Sequence, residues 1–224
     1  MGESPERARL EASARAAGMS LFGAAEAGPL RATFDPAFVQ TAARLPYALS
    51  LGLALSGPIL ETLSDGPNRL YYFHYRAANN LLDQAALRLA GEIQARGKQA
   101  LPVPASQFVN PDVLAGHLSH RAVGRAAGHG WIGRSCLLVN PYYGARVRYV
   151  TILTDLELPA NAPVAADCGD CRACVEACPA GAIGERPEEF DLARCIAKLE
   201  EFARRQRWGR QLICGLCVKA CRGR

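Results

Sequence analysis

Apolar residues recur at steps of three and four through residues 72–96, where Leu82, Ala86, Leu89 and Ile93 fall on one side. That period predicts a long amphipathic helix, and Gly97 supplies its C-terminal stop. Residues 6–17 repeat the pattern, with Leu10, Ala14 and Ala17 inward and Gly18 after them. A shorter helix is expected over 34–44, started by Asp35-Pro36. Ser119 can cap another that runs to about residue 127. The strands read differently. Residues 20–25 form a short buried run, and 47–55 an apolar run closed by Ser56-Gly57-Pro58, which suits a central strand. Residues 136–139 and 146–153 are two more, the second with Val147, Tyr149 and Leu153 on one face. Pro102 and Pro104 keep 101–106 out of a helix and predict an extended edge segment. Gly128, Gly130 and Gly133 break the chain three times.

A stretch rich in Pro and Ala, 159–167, reads as a linker. It divides the chain into an α/β domain, 1–158, and a cysteine-rich domain, 159–224. The fold class expected is therefore α+β.

The cysteine-rich part carries the chemistry. Cys168, Cys171, Cys174 and Cys178, followed by Pro179, have the spacing C-x2-C-x2-C-x3-C-P. Three thiolates two residues apart suit three irons of one cubane, and in two-cluster ferredoxins the fourth cysteine ligates the other cluster. A second motif exists: Cys214, Cys217 and Cys221 give C-x2-C-x3-C, with Cys195 upstream. The pairing expected is Cys168, Cys171, Cys174 and Cys221 on one 4Fe-4S cluster. Cys178, Cys195, Cys214 and Cys217 would hold the other. The second motif departs from the ferredoxin pattern in its long gap, 196–213, which must hold an inserted helix, and in Arg222 where a proline would stand. A lone C-x2-C also suits a zinc knuckle or a redox dithiol, but four cysteines at this spacing do not. A disulfide framework is not expected in a chain of this length without a secretory signal.

Half of the 224 residues are hydrophobic, enough for a sizeable core. No stretch approaches the ~18 consecutive apolar residues of a membrane span, so a cytoplasmic protein with no membrane partner is expected. The formal charge of +5 is uneven: residues 196–224 hold eight basic and two acidic residues, and the rest of the chain sums to −1. The basic tail suits docking of an acidic electron donor or a nucleic acid. It equally suits compensation of an anionic cluster.

Three passages resemble one family in content and in order. They are Ser119-His120-Arg121 through Gly130-Trp131-Ile132-Gly133-Arg134, then Leu137 through Pro141-Tyr142-Tyr143-Gly144, then Thr151 through Leu156. Followed by the double cysteine motif, they are similar to the cobalamin-dependent epoxyqueuosine reductases and reductive dehalogenases. The resemblance covers about residues 70–221. It implies a nitroreductase-like domain that cradles a corrinoid, followed by a ferredoxin-like domain with two 4Fe-4S clusters. Electrons would pass from a low-potential flavodoxin- or ferredoxin-type donor through both clusters to cobalt and then to substrate. Ser119, His120, Gly130, Trp131, Gly133, Arg134, Tyr142 and Gly144, with Arg146, are the residues it assigns to the cobalamin. The glycines would let backbone approach the macrocycle, or they only make tight turns.

The family places an Asp-Tyr-His sequence at the start of the long helix, the Asp as proton donor. Here His74-Tyr75-Arg76 stands there, which makes His74 and Tyr75 the candidate acids. The C-terminal helical-repeat domain of tRNA-acting relatives has no counterpart after Cys221. That weighs against tRNA and toward a small-molecule or nucleoside-like substrate. The alternative function is a ferredoxin-like electron carrier, or a reductive activator of a separate corrinoid protein. Cys136 is expected to be a small buried hydrophobe in a strand.

Overall fold

The structure is a computed structural model that describes residues 4–110, 114–209 and 211–223. The chain begins with helix α1 (Pro5–Ala16), strand β1 (Leu21–Glu26), helix α2 (Pro36–Ala42) and strand β2 (Tyr47–Ala54). Helix α3 (Gly57–Glu61), the long α4 (Arg69–Gln94), β3 (Ala100–Val103) and α5 (His120–Ala126) follow. Then come β4 (Trp131–Ile132), β5 (Leu138–Val139), β6 (Val147–Thr154), α6 (Ala173–Glu176), α7 (Leu192–Gln206) and α8 (Leu216–Ala220).

The helices form for the reasons their sequences give. In α4, Leu82, Ala86, Leu89 and Ile93 are all buried, and the chain leaves it through Gly97 at φ 75°. The Asp35 carboxylate accepts from the Ala37 N–H at the start of α2, and the Ser119 hydroxyl from the Ala122 N–H at the start of α5. The inserted helix expected between Cys195 and Cys214 is α7, with the Asp191 side chain as its cap.

Four strands make the main sheet in the order β1-β2-β6-β3. β1 pairs antiparallel with β2, and β3 antiparallel with β6. The proline-bearing β3 lies at an edge, where its missing N–H breaks no ladder. β6 is interior, and both its faces are buried: Val150, Ile152 and Leu153 are fully enclosed. One core joins α1, α4 and the sheet through Leu10, Ala14, Leu49, Leu51, Leu82, Leu89, Val150 and Ile152. Among the described residues no helix is long and apolar enough to cross a membrane.

Two expectations need correction. Residues 136–139 are not one strand. Cys136 turns with φ 57°, and only Leu138 and Val139 pair, against Trp131 and Ile132. The glycines hid this hairpin by reading as breaks. Gly130 in fact makes it possible, because a Cβ there would overlap the Val139 carbonyl. The two compact units are also interleaved. One comprises 1–54, 78–129 and 148–164; the other comprises 55–77, 130–147 and 165–224. A linker at 159–167 marks only one of the crossings. Two others fall inside continuous elements, α4 and β6, where no change of composition announces them.

Candidate functional site

The second unit holds all nine cysteines, and eight of them fall into two sets. Cys178, Cys195, Cys214 and Cys217 line one cavity of about 120 Å3, closed by Leu137, Ile183, Phe190 and Leu199. Cys195 comes from the first turn of α7 and Cys217 from α8. Cys178 arrives just after α6, and the Ala182 N–H points at its sulfur at 3.4 Å. Burial pushes the Cys214 thiol up to about 11, with Cys195 and Cys178 adding to the shift and the Leu216 N–H opposing it. Burial also raises Cys217 and Cys195, the first with help from Cys214, Cys195 and Cys178, the second from Cys178.

The other set is Cys168, Cys171, Cys174 and Cys221. Burial raises the Cys174 thiol, and Cys221, Cys168 and Cys171 raise it further. Burial raises Cys221 as well. Amides of Ala145 and Gly223 donate to its sulfur and oppose the shift, while Cys168 and Cys171 add to it.

Four thiols converging in apolar surroundings do not ionise together without a cationic centre to hold them, and metal ligation requires the thiolate. Among the described residues no three Cys, His, Asp or Glu side chains close around a single ion. Tetrahedral zinc, with bonds of ~2.3 Å, would draw its sulfurs to within about 4 Å of one another. Thiols lining a cavity, as those of the Cys178 set do, suit a polynuclear centre.

The glycines near these sets have defined work. A Cβ on Gly133 would stand 3.1 Å from the Cys168 sulfur. Gly144, at φ 61°, lies so close to Cys221 that a Cβ would overlap its carbonyl oxygen. Arg134 stitches the first cysteine loop: its Nε donates to the Cys171 carbonyl at 3.0 Å and its Nη2 to Gly169 at 2.6 Å, with Nη1 on the Glu185 carbonyl. Arg146 donates to Glu61 at 3.1 Å and to the Lys219 carbonyl.

Of the residues that the resemblance assigns to a corrinoid, Ser119, His120 and Arg134 are hydrogen-bonded within the protein. Ser119 caps α5. His120 is half-buried with both ring nitrogens occupied, by Thr151 Oγ1 at 2.8 Å and the Pro104 carbonyl at 2.9 Å. Burial lowers its pKa to about 4; the Pro104 bond opposes that and Arg148 adds to it. Trp131 is buried, its indole N–H without a partner, while Tyr142 is 83% exposed. Of the candidate acids, His74 is half-buried, its Nε2 accepting from the Ser56 N–H at 3.0 Å, and burial lowers its pKa. The Tyr75 ring stands 6.3 Å from that of Tyr71.

Sequence reading missed two features. One is Glu61, which meets Arg146, Arg222 and Lys219 at 3.1, 2.9 and 3.9 Å. The other is the stack of Tyr72 on Trp208, 4.7 Å and 9° apart. Nothing local in the sequence marks either, because each joins residues far apart in the chain.

The fold is that of the epoxyqueuosine reductases and reductive dehalogenases. An epoxyqueuosine reductase crystal structure matches with a TM-score of 0.67 at 20% identity, covering 96% of this chain and 64% of that one. A catabolic reductive dehalogenase in complex with 3-bromo-4-hydroxybenzoic acid matches at 0.73 and 19%, covering 95% of this chain and 31% of that one.

In sequence the chain is similar to epoxyqueuosine reductases in particular. It is 33% identical to that of Bacillus anthracis over 118 residues, 49% of this chain and 30% of that protein. It is 35% identical to that of Xanthomonas campestris over 142 residues, 62% of this chain and 38% of that protein. The matches thus span about a third of the length of these curated relatives. No family model matches the chain.

Proposed function

We propose that this chain is an iron–sulfur oxidoreductase resembling epoxyqueuosine reductase, with two 4Fe-4S clusters in a ferredoxin-like unit. One observation carries the reading: Cys178, a neighbour in sequence of the first motif, lines the same cavity as Cys195, Cys214 and Cys217. That exchange of a ligand between motifs is the ferredoxin rule. When bound, each cluster supplies one-electron transfer at a potential its surroundings set. The protein's own part is to hold the thiolates, keep water from the Cys178 set with Leu137, Phe190 and Leu199, and fix the Cys168–Cys171 loop through Arg134. A low-potential electron donor is the partner this requires.

The substrate is proposed by analogy. One epoxyqueuosine reductase structure contains a tRNA stem loop, and a dehalogenase structure is described as B12-dependent. A nucleoside-like or small aromatic substrate reduced at a cobalamin follows from those relatives. Ser119, His120 and Arg134, three of the residues named for the corrinoid, already bond to other groups of the protein. That observation favours a second reading, in which the chain delivers electrons to a separate corrinoid protein. An absorption spectrum of protein purified without oxygen from cobalamin-supplied cells separates the two. Corrin bands over the broad iron–sulfur absorption support the cobalamin reductase. Iron–sulfur absorption alone supports the electron carrier.

A further inference from the structure

The two thiol sets sit in unlike electrostatic surroundings. Arg146, Lys219 and Arg222 gather around one carboxylate, Glu61, and so leave a local excess of two positive charges. Lys219 and Arg222 flank Cys221 in the chain. Arg146 follows Ala145, whose amide donates to the Cys221 sulfur. The Arg146 side chain is only 14% exposed, so water screens it little. Asp167 and Asp170 lie in the first cysteine loop but are exposed, and Arg134 stands over that loop. At the other set the cation lining the cavity is Lys198, which Glu201 neutralises at 2.6 Å. Cys171 is exposed and Cys174 buried, while Cys178, Cys195, Cys214 and Cys217 are all half-buried.

Cluster potential follows net charge, hydrogen bonds to sulfur and solvent access. An added electron makes a thiolate-bound cluster more anionic, so nearby uncompensated cations favour the reduced form. The charge excess acts in that direction here. We infer that the Glu61–Arg146–Lys219–Arg222 network raises the reduction potential of the cluster held by Cys168, Cys171, Cys174 and Cys221 above that of its neighbour. An electron given up by the Cys178 set is then taken up by the Cys221 set, one leaving as one arrives. In this scheme Arg146 is a positioning residue, acting through its field and through the Cys221 loop. The inference rests on the two-cluster reading.

The test is a stepwise dithionite reduction followed by electron paramagnetic resonance, on wild type and on two variants of opposite sign. Glu61→Gln removes the carboxylate that the three cations share and should move the Cys221-set midpoint upward. Arg222→Met, at an exposed position that leaves the fold intact, should move it downward, and Arg146→Met further in the same direction. The Cys178-set midpoint should stay where it is, and the Cys221-set signal should appear first in wild type. A Cys178→Ala protein, in which only the Cys221 set is complete, identifies which signal is which. Iron content separates the two ways of failing. Fewer than about eight iron in wild type overturns the two-cluster reading. A full iron complement with midpoints that do not move, or that move equally at both clusters, overturns the role of the network.

Discussion

The Ser56 backbone N–H donates to Nε2 of His74 at 3.0 Å. An accepting Nε2 is an unprotonated one, and burial lowers the His74 pKa in agreement with that. The ring is therefore neutral near pH 7, and any proton it gives a substrate leaves from Nδ1. If His74 is the acid of a reductase reaction, His74→Ala should slow turnover by about 10²–10⁴-fold. Iron content should not change. Turnover within threefold of wild type would remove His74 from the mechanism.

The buried histidines also set a pH limit on the fold. His120 and His129 are held at about 4, against an ordinary 6.5, by burial above all. Depressed folded-state values mean that protons bind the unfolded chain first. The stability is present above about pH 6.5 and is lost as pH falls toward 4. Each shift corresponds to something on the order of 3 kcal/mol. Thermal unfolding should show Tm falling across that window, and His120→Asn should make the fall shallower.

Cys178 decides the ligand pattern. Cys178→Ala should leave about four iron of about eight and remove the cluster of Cys195, Cys214 and Cys217. Cys171→Ala should remove the other. Loss of the same cluster in both variants would mean that each motif serves its own cluster.

Gly144 has no room for a side chain. Gly144→Ala forces a Cβ into the Cys221 carbonyl at a left-handed φ of 61°. The substitution should destabilise the protein by more than about 1 kcal/mol in urea unfolding, and the Cys221 cluster should be lost first on exposure to air.

The Tyr72–Trp208 stack joins the start of α4 to the chain just after α7. Trp208→Ala should cost about 0.5–1.5 kcal/mol from the lost ring pair alone, with both clusters retained. Urea unfolding read by circular dichroism checks the first part and iron analysis the second.

What the sequence made legible was local and periodic. The spacing of Leu82, Ala86, Leu89 and Ile93 announces α4, and the prolines at 102 and 104 place β3 at an edge. The thiol sets were legible because a ligand rule relates spacing to geometry, so that Cys178 could be assigned away from its neighbours. Long-range partners were not. Arg134 has the same residue type whether it binds a cofactor rim or three carbonyls of a loop, and only the fold chooses. Gly133 and Gly144 read alike as cradle or turn, yet what each approaches is the sulfur of Cys168 or the carbonyl of Cys221. Glu61 carries no motif at all.

Each thiol set draws on both 168–178 and 214–221, and this has a consequence for biosynthesis. Neither set is complete when the first motif leaves the ribosome. About forty further residues must follow before Cys221 arrives, a delay of a few seconds at ~5–20 residues per second. For that interval Cys168, Cys171, Cys174 and Cys178 are free thiols on a nascent chain. Iron delivered then finds three ligands of one site and one of the other, so metal loading belongs after translation of residue 221.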